Sequence, residues 1–415
     1  MNDTKIEEKK ENNQKSKNRV SFSLTELILV SIVVALITGG VTGLLLNNKN
    51  NPIIANNTSD KTINPKFQVI IDTFNNIKNN FYQEVDENKL INGAISGMLE
   101  SVDDPYTTFM EKQTYSNFNI SLNGKFKGFG IEVSTIDNKI TIVGIFNDSP
   151  AAKAGFKLGD VFISVDDKKA EEMTANELTD YIKGKPTDDF VVVLDRNGEK
   201  VTKNITKDVV ELKSVTSKVF EQNNKKIGYI YASIFANNTY SQFKEELNNL
   251  EKQNINSLII DLRDNTGGEL TSALNMISLF LKNDKIAFMM ESRKGTIKYT
   301  SNGTKDATYP IVLLVNNNSA SASEVMTAAL KENINAQVIG TTTFGKGTAQ
   351  ELLNLSNGEQ YKMTTMKWLT PKGNWINGTG IKPDIEVEMN EEYYKNPTQE
   401  NDNQLQAAIN YLKEH

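Results

Sequence analysis

Residues 311–332 have the sequence IVLLVNNNSASASEVMTAALKE, in which an apolar run leads through a polar turn into a helical pattern that begins with small residues. The run at 311–315 has the length and composition of a buried strand, and the pattern at 321–332 predicts a helix. The same alternation continues on either side of this stretch. Strand patterns occupy 227–235, 257–262, 338–340 and 348–353, and helical patterns occupy 240–252 and 270–281. Strands that alternate with helices predict an α/β core.

The composition limits the chemistry that this core can perform. The chain has 415 residues, no cysteine and a single histidine, His415, which is the last residue. Disulfides, thiolate nucleophiles and cysteine metal sites are therefore excluded, and a histidine at a chain terminus is a poor member of a Ser–His–Asp triad. A serine nucleophile would need another base, and a lysine kept neutral by burial is the main alternative. No metal or cofactor is expected, and the net charge of −6 argues against nucleic acid as a partner.

An N-terminal membrane anchor is predicted. Residues 1–20 are polar, and residues 27–46 form an uncharged apolar run of the ~20 residues that a helix needs to cross a bilayer. A cleaved signal peptide is the alternative, but its apolar run is usually only ~7–15 residues long, and no A-x-A site follows. Because basic residues precede the run, we expect a cytoplasmic tail (1–20), a single-pass signal anchor in the cell membrane (21–46) and all later residues outside the cytoplasm.

The remainder divides by pattern into five parts. Residues 47–64 lack periodicity and form a linker, and residues 65–120 form a helical N-terminal region. Residues 121–208 alternate short β-rich runs with one helix and an Asn-Gly hairpin turn, which predicts an α+β module. The α/β core takes 209–390, and 391–415 form a C-terminal tail with a short helix.

Ser321 is a candidate nucleophile. It stands where a strand pattern gives way to a helix, so that free backbone N–H groups at the helix start could stabilise an oxyanion. Ser321 and Glu324 also have the spacing of a capping box, and this segment alone favours the cap.

Lys346 is a candidate base. It lies between two glycines in GTTTFGKGTAQELL, residues 340–353, and leads into a strand that places Thr348 and Gln350 on the same face. The ordinary alternative is a solvent-exposed turn lysine. A P-loop is excluded because Gly347 occupies the position of the Mg²⁺-binding Ser or Thr.

A third loop lies in LIIDLRDNTGGEL, residues 258–270, where Gly267 and Gly268 follow a buried strand. Paired glycines permit close approach of backbone to a ligand, although this segment by itself favours an ordinary tight turn. Loops at strand ends gather at one edge of an α/β sheet, where ligands bind.

Together these motifs resemble the active-site motifs of the carboxyl-terminal processing (tail-specific) serine peptidases, over roughly residues 65–390. The third loop differs from the usual family pattern at two positions, with Asp264 and Thr266 where Asn and Pro are usual. The resemblance implies a crotonase-like α/β core. It also implies the following site residues: Ser321 as nucleophile, Lys346 as general base, Gln350 as the residue that positions the lysine, and the N–H groups of Gly268 and Ala322 as the oxyanion hole.

The α+β module resembles a bacterial PDZ domain. The residues that carry the resemblance are SPAAKAG at 149–155, LGD at 158–160, and the loop Gly128, Phe129, Gly130 and Ile131. In such domains loop N–H groups bind a terminal carboxylate while the peptide adds a strand to the sheet. The expected partners are therefore proteins or peptides with free C-termini. The motif DPYT at 104–107 resembles the family's N-terminal region, which often mediates dimerisation, and a regulatory or adaptor protein stays open.

The function expected from the sequence is a membrane-anchored serine endopeptidase. It would cleave exported or membrane proteins at or near their C-termini through a Ser–Lys acyl-enzyme, and its PDZ domain would recognise substrate C-termini. The alternative is a non-catalytic PDZ scaffold or holdase on a peptidase fold.

Overall fold

The computed structural model describes residues 64–222 and 225–415. The predicted cytoplasmic tail, the signal anchor and all but the last residue of the linker lie outside the described residues. Within the described ranges, no helix has the length and apolar character that crossing a bilayer requires.

The N-terminal region is mostly helical but also contains a strand. Its elements are α1 (Pro65–Asn80), α2 (Glu87–Glu100), β1 (Thr108–Met110) and α3 (Lys112–Asn123). The N-terminal region predicted over 65–120 also includes β1, which pairs antiparallel with residues 360–362 of the core. Asp103 has a positive φ that ends the helical course, and the next residues then run along the edge of a core sheet. The N-terminal region is thereby fixed to the core.

The predicted PDZ domain has the strand and helix arrangement that its sequence indicates. Its elements are β2 (Lys125–Gly128), β3 (Ile131–Ile136), β4 (Lys139–Ile145), α4 (Pro150–Ala154), β5 (Val161–Val165), β6 (Lys168–Lys169), a 3₁₀ turn (Ala170–Glu172), α5 (Ala175–Gly184), β7 (Asp189–Arg196), β8 (Glu199–Thr206) and β9 (Asp208–Glu211). The sheet order is β3-β4-β5-β7-β8, with β6 on β5 and a separate β2–β9 pair. Asn197 and Gly198 both have positive φ, as the predicted hairpin turn requires. A core that includes Phe129, Leu178 and Val192 joins the sheet to α5.

The α/β core is a parallel sheet covered on both faces. Its elements are β10 (Val215–Gln222), β11 (Lys225–Ala232), α6 (Thr239–Glu251), β12 (Ser257–Asp261), α7 (Leu270–Ile277), β13 (Ile286–Ser292), β14 (Gly295–Thr300), β15 (Ile311–Val315), α8 (Ala322–Ile334), β16 (Gln337–Gly340), β17 (Thr348–Asn354), β18 (Gln360–Leu369), β19 (Ile385–Glu386), α9 (Glu391–Lys395) and α10 (Asn403–Glu414). The sheet order is β10-β11-β12-β15-β16-β19, parallel except for the antiparallel β10. The predicted α/β core is therefore confirmed.

Each face of this sheet has its own apolar layer. Leu258 and Leu313 belong to the main core, which also includes residues of α6, α7 and α8. Ile259 and Val312 point the other way, toward Leu405 and Ile409 of the C-terminal helix α10. Burial on both faces explains why these strands are continuous apolar runs in the sequence.

A second, antiparallel sheet lies against the core and was not predicted. Its order is β1-β18-β13-β14, and β17 also pairs with β18. The strand that follows Lys346 belongs to this sheet, as does the strand contributed by the N-terminal region. The active-site loops therefore lie where the parallel sheet, the antiparallel sheet and the N-terminal region meet.

Candidate active site

Ser321 occupies a strained position at the start of α8. Its backbone has φ 53° and ψ −115°, and the residue is 6% exposed. A non-glycine residue in such a conformation costs about 1–3 kcal/mol and persists only where the surroundings impose it, often at active sites. The buried strand β15 enters the turn and α8 leaves it, a sharp strand-to-helix connection that presents a side chain at a helix N-terminus.

The two neighbouring serines have structural hydrogen bonds. The hydroxyl of Ser319 donates to the carbonyl of Leu262 at 2.8 Å, and that of Ser323 donates to the carbonyl of Asn265 at 2.7 Å. Both side chains are fully buried. They attach the start of α8 to the loop that contains Gly267 and Gly268, the glycine loop. Of the three serines, Ser321 is the one with exposed surface.

The glycine loop lies directly against Ser321. A Cβ atom on Gly267 would come within 2.8 Å of the Ser321 Cβ and 2.9 Å of the Ala322 nitrogen. A Cβ atom on Gly268 would be 2.2 Å from the carbonyl oxygen of Phe235. Only glycine fits at either position, and both have positive φ.

The N–H groups of Gly268 and Ala322 are placed as donors near the serine. The bridge between Phe235 and the loop uses the Gly267 carbonyl (2.9 Å) and the Glu269 N–H (2.6 Å), so the Gly268 N–H is not part of it. Ala322 is the first helical residue, and its N–H therefore has no acceptor within the helix. An oxyanion hole needs two such donors beside the nucleophile, and this role of Gly268 and Ala322 stays a prediction.

Glu324 connects the serine to the lysine loop. Its carboxylate accepts hydrogen bonds from the N–H groups of Ser321 (2.8 Å), Gly345 (2.7 Å) and Lys346 (2.9 Å), and from the Thr343 hydroxyl (2.6 Å). The bond to Ser321 N is the reciprocal half of the predicted capping box. Burial raises the pKa of Glu324, while these four hydrogen bonds act to lower it. One buried side chain thus fixes the backbone of both candidate catalytic residues.

Lys346 is buried and is not the solvent-exposed turn lysine of the alternative interpretation. Its side chain is 0% exposed, and its Nζ lies 4.7 Å from the centre of the Tyr106 ring. Burial, and then the like charge of Lys362, lower the pKa of Lys346 to about 7, against the opposing effects of Glu324 and Asp104. An amine with this pKa is substantially neutral near pH 7 and can accept a proton.

The chain's two tryptophans hold the backbone on which this lysine stands. The indole N–H of Trp368 donates to the Lys346 carbonyl at 2.7 Å, and that of Trp375 donates to the Gly347 carbonyl at 2.8 Å. The crowding leaves no room for a side chain at Gly347, where a Cβ would be 2.7 Å from Trp375 Nε1.

Gln350 lies on β17, and its side chain is buried. Its amide donates to the hydroxyls of Thr348 (3.1 Å) and Thr364 (2.9 Å). The Thr364 N–H in turn donates to the Thr107 hydroxyl at 3.1 Å. Gln350 therefore belongs to a polar wall that joins β17, β18 and the N-terminal region, and its role in positioning Lys346 stays a prediction.

The PDZ loop and the peptide groove beside it are present. Gly128, Phe129, Gly130 and Ile131 line one end of a small groove whose sides are β3 and residues of α5, including Leu178 and Ile182. Phe129 packs edge-on against Phe190 in the domain core. In the described chain, β3 pairs only with β4, so its other edge, beside α5, is available for an added strand.

Comparison with known proteins gives the family. The model of peptidase family S41 matches residues 226–387, that of the PDZ domain matches 128–206, and that of the activating protease CtpB N-terminal domain matches 33–114. Carboxy-terminal processing protease CtpA of Bacillus subtilis (strain 168) is 35% identical over 88% of this chain and 77% of its own length. Carboxy-terminal processing protease CtpB of the same organism is 37% identical over 78% and 68%. A probable CtpA-like serine protease of Staphylococcus aureus (strain COL) is 32% identical over 90% and 74%.

The chain belongs to peptidase family S41. It is a PDZ-containing serine protease of the carboxy-terminal processing group, as the sequence motifs indicate. Among solved structures, a photosystem II D1 C-terminal processing protease covers 79% of the chain at 24% identity and a TM-score of 0.48, a similarity that supports no further inference.

The sequence did not reveal several residues of the S41 site. Tyr106 and Asp104 come from the N-terminal region, Lys362 comes from the unpredicted sheet, and all three affect Lys346. Asp104 and Tyr106 belong to the DPYT motif at 104–107, but nothing in the pattern of that motif indicates a contact with residue 346. The described residues contain no cluster of His, Cys, Asp or Glu that could hold a metal ion.

Proposed function

We propose that this S41 protease is a membrane-anchored endopeptidase that cleaves exported or membrane proteins at or near their C-termini by a Ser–Lys mechanism. The observation that carries the proposal is the pairing of a strained serine at a helix N-terminus with a fully buried lysine, both fixed by the Glu324 carboxylate. A buried lysine with a pKa of about 7 has no evident structural purpose at that position, but it suits a general base.

In the proposed reaction, the neutral amine of Lys346 removes the proton from the Ser321 hydroxyl. The serine oxygen attacks the scissile carbonyl, and the negative charge that develops on the carbonyl oxygen is stabilised by the N–H groups of Gly268 and Ala322. The Lys346 ammonium then protonates the departing amine, which leaves an acyl-enzyme. Lys346 next activates a water that hydrolyses the ester and returns the serine hydroxyl.

The catalytic assignment is tested with Ser321→Ala, Lys346→Ala and the double variant. Each single variant should lose nearly all turnover, and the double variant should be little worse, because residues that act as one unit are strongly non-additive. A fluorophosphonate probe should label the wild type at Ser321 and leave Ser321→Ala unlabelled. Substantial turnover by either alanine variant would refute the dyad.

The PDZ domain is proposed to bind the substrate's C-terminus. The open edge of β3 and the groove beside α5 suit an added peptide strand, and the loop that contains Gly130 lies at the end of that groove. The chain end would be held there while a bond farther up the substrate reaches Ser321.

The anchor is proposed for residues 21–46, with the N-terminus in the cytoplasm. Protease added to intact cells without a wall should digest the chain beyond about residue 50 and spare the N-terminal stub. A version that begins at Asn64 should be soluble and active on peptides. Protection of the catalytic domain in intact cells would contradict this topology.

Assembly is proposed to involve a homodimer through the N-terminal region. On α1, the apolar side chains of Phe67, Val69 and Ile70 are exposed, and the helix has no buried residue in the single chain. Sedimentation of Phe67→Ser against the wild type tests this. A regulatory or adaptor protein remains a further candidate partner.

The rival function is a PDZ scaffold or holdase that performs no hydrolysis. The buried lysine and the preformed oxyanion loop favour the peptidase, since a scaffold has no need of either. Absence of fluorophosphonate labelling in the wild type would favour the rival.

A further inference from the structure

Lys362 is a second buried lysine near the active site, and the proposed mechanism does not use it. It lies on β18 and is only 2% exposed. Within the described part of the chain, its ammonium has no hydrogen bond and no carboxylate within ion-pair distance. An unpaired buried charge is costly, and a protein that keeps one without a partner usually has a use for it.

Lys362 lies between β1 of the N-terminal region and β17, the strand that follows Lys346. It pairs with Thr108 of β1 on one side and with Leu352 of β17 on the other. Two residues farther along the same face of β18 is Thr364, which binds both Gln350 and Thr107. The Thr107 hydroxyl in turn donates to the Asp104 carboxylate at 2.6 Å. A chain of hydrogen bonds therefore connects Gln350 on β17, Thr364 on β18 and the N-terminal region.

The charges around Lys346 act in opposite directions. Glu324 of α8 and Asp104 of the N-terminal turn favour its ammonium form, and the Tyr106 ring faces the same amine. Lys362 is the charged group that opposes them. Burial lowers the pKa of Lys362 to about 8, and Asp104 works against this effect. Burial therefore lowers the pKa of both lysines, and Lys346 is the more deeply buried of the two.

We propose that Lys362 is a positioning residue for hydrolysis, acting through Lys346: its buried ammonium keeps the neighbouring amine neutral and so able to accept the serine proton. The proposal rests on the Ser–Lys mechanism proposed above. It assigns the N-terminal region and the second sheet a part in the chemistry, since Asp104 and β18 set the charge state of the base. A neighbouring cation is one of the known ways in which a protein activates a lysine.

The test is the pH dependence of kcat/KM for Lys362→Met and Lys362→Arg, measured on a short peptide from pH 5.5 to 10. Methionine fills similar space without charge, so the rise of kcat/KM should move to higher pH. At pH 6 this variant should be at least about fivefold less active than the wild type, and near pH 9.5 the two should agree. Arginine keeps the charge and should keep the rise close to its original pH.

Asp104→Asn gives an opposite test, because removing the anion should move the rise of kcat/KM to lower pH.

If Lys362→Met folds poorly, Lys362→Gln replaces it with the same expectation. An unmoved rise in the uncharged variants, or an equal loss at every pH, would overturn the proposal. So would a loss confined to KM, which would make Lys362 a substrate-binding residue.

The failure of this inference can be told apart from failure of the proposed function. If Ser321→Ala and Lys346→Ala are inactive while the uncharged Lys362 variants keep the wild-type pH profile, only the role of Lys362 is wrong. If Lys346→Ala remains active, the Ser–Lys mechanism itself fails, and this inference fails with it.

Discussion

At the scale of single residues, the burial of Lys346 determines the pH at which the proposed Ser–Lys mechanism can operate. The base must be neutral, and a lysine is neutral above its pKa. Because that pKa is lowered to about 7, kcat/KM should rise with pH through about 7 and then level off, with no inflection from histidine. The measurement is kcat/KM against pH with a slow substrate, for which chemistry limits the rate. A flat profile under those conditions would contradict a lysine base.

Glu324 shows how one buried carboxylate can hold a whole site. The two carboxylate oxygens of Glu324 together accept four hydrogen bonds. Glu324→Gln replaces one of these oxygens with an NH₂ group, which faces N–H or O–H donors and cannot accept from them. A lost charge-assisted hydrogen bond is worth about 1.5–3 kcal/mol, so kcat/KM should fall by roughly 10- to 100-fold. Glu332→Gln, on the same helix with a single hydrogen bond to Lys372 N, is the matched control and should stay near the wild type.

The prediction for the flanking serines is the reverse. Ser323→Ala removes one buried hydroxyl bond, and Ser319→Ala removes the donation to Leu262 and the bond that its hydroxyl accepts from Asn316 N at 2.9 Å. Each lost bond should reduce the free energy of unfolding by about 1 kcal/mol. Turnover should change little, since neither hydroxyl is the proposed nucleophile. Denaturant unfolding and kcat/KM, measured on the same preparations, check both statements. An inactive Ser323→Ala beside an active Ser321→Ala would show that the nucleophile is misassigned.

The site residues that could be predicted from the sequence are those for which the information is local. Ser321, Lys346 and the paired glycines lie in short motifs whose spacing is visible in the chain. The contacts of Tyr106 and Asp104 with Lys346 join positions about 240 residues apart, and no periodicity connects them. Nothing in the sequence singles out Lys362, because its burial is decided by the packing of β18 between β1 and β17.

At the scale of elements, the parallel strands were predictable because both of their faces are buried. The strand at 311–315 and the α/β alternation around it are as expected. The strands of the second sheet mix polar and apolar residues, as in QYKMTTMKWL of β18, and most of that strand is only partly buried. Half-buried strands with irregular patterns give a weak period-two signal, so this sheet was missed.

The C-terminal helix is joined to the glycine loop by a buried ion pair. Arg263 donates to both oxygens of Asp402 at 2.8 and 2.7 Å, and Asp402 also caps α10 by accepting from Leu405 N at 2.9 Å. Asp402→Ala would leave the guanidinium with Asp261 and Gln404 only. Because Asp261 still neutralises the guanidinium, the cost is that of lost charge-assisted hydrogen bonds, about 1.5–3 kcal/mol.

We therefore expect Asp402→Ala to lower the free energy of unfolding by that amount and to reduce kcat as the glycine loop loses its support. Glu400→Ala, two residues away and exposed, is the control and should behave as the wild type. Urea unfolding, followed by tryptophan fluorescence, measures the free energy of unfolding of both variants. Unchanged stability of Asp402→Ala would mean that the pair does not hold α10 in place.

At the scale of the whole molecule, the open question is how the PDZ domain and the peptidase core act on one substrate. A terminal carboxylate accepts charge-assisted hydrogen bonds from loop N–H groups, which are roughly twice as strong as neutral ones. If the loop from Gly128 to Ile131 captures a chain end, amidation of a protein substrate should raise KM sharply. A short peptide with a good scissile bond and no tail should be affected much less.

Gly130 allows this last prediction to be tested from the enzyme's side. Its φ is +75°, and a Cβ would lie 2.3 Å from the Ser149 Cβ, so Gly130→Val must displace the loop. Gly159→Ala is the matched control, since Gly159 has φ +83° but open space around it, and its substitution carries the backbone strain without the collision. Gly130→Val should raise KM for the free-ended protein and abolish the difference between free and amidated ends, whereas Gly159→Ala should preserve that difference. Equal kcat/KM for free and amidated substrates with the wild-type enzyme would refute C-terminal recognition, because a groove that binds the chain end through its carboxylate cannot be indifferent to the loss of that charge.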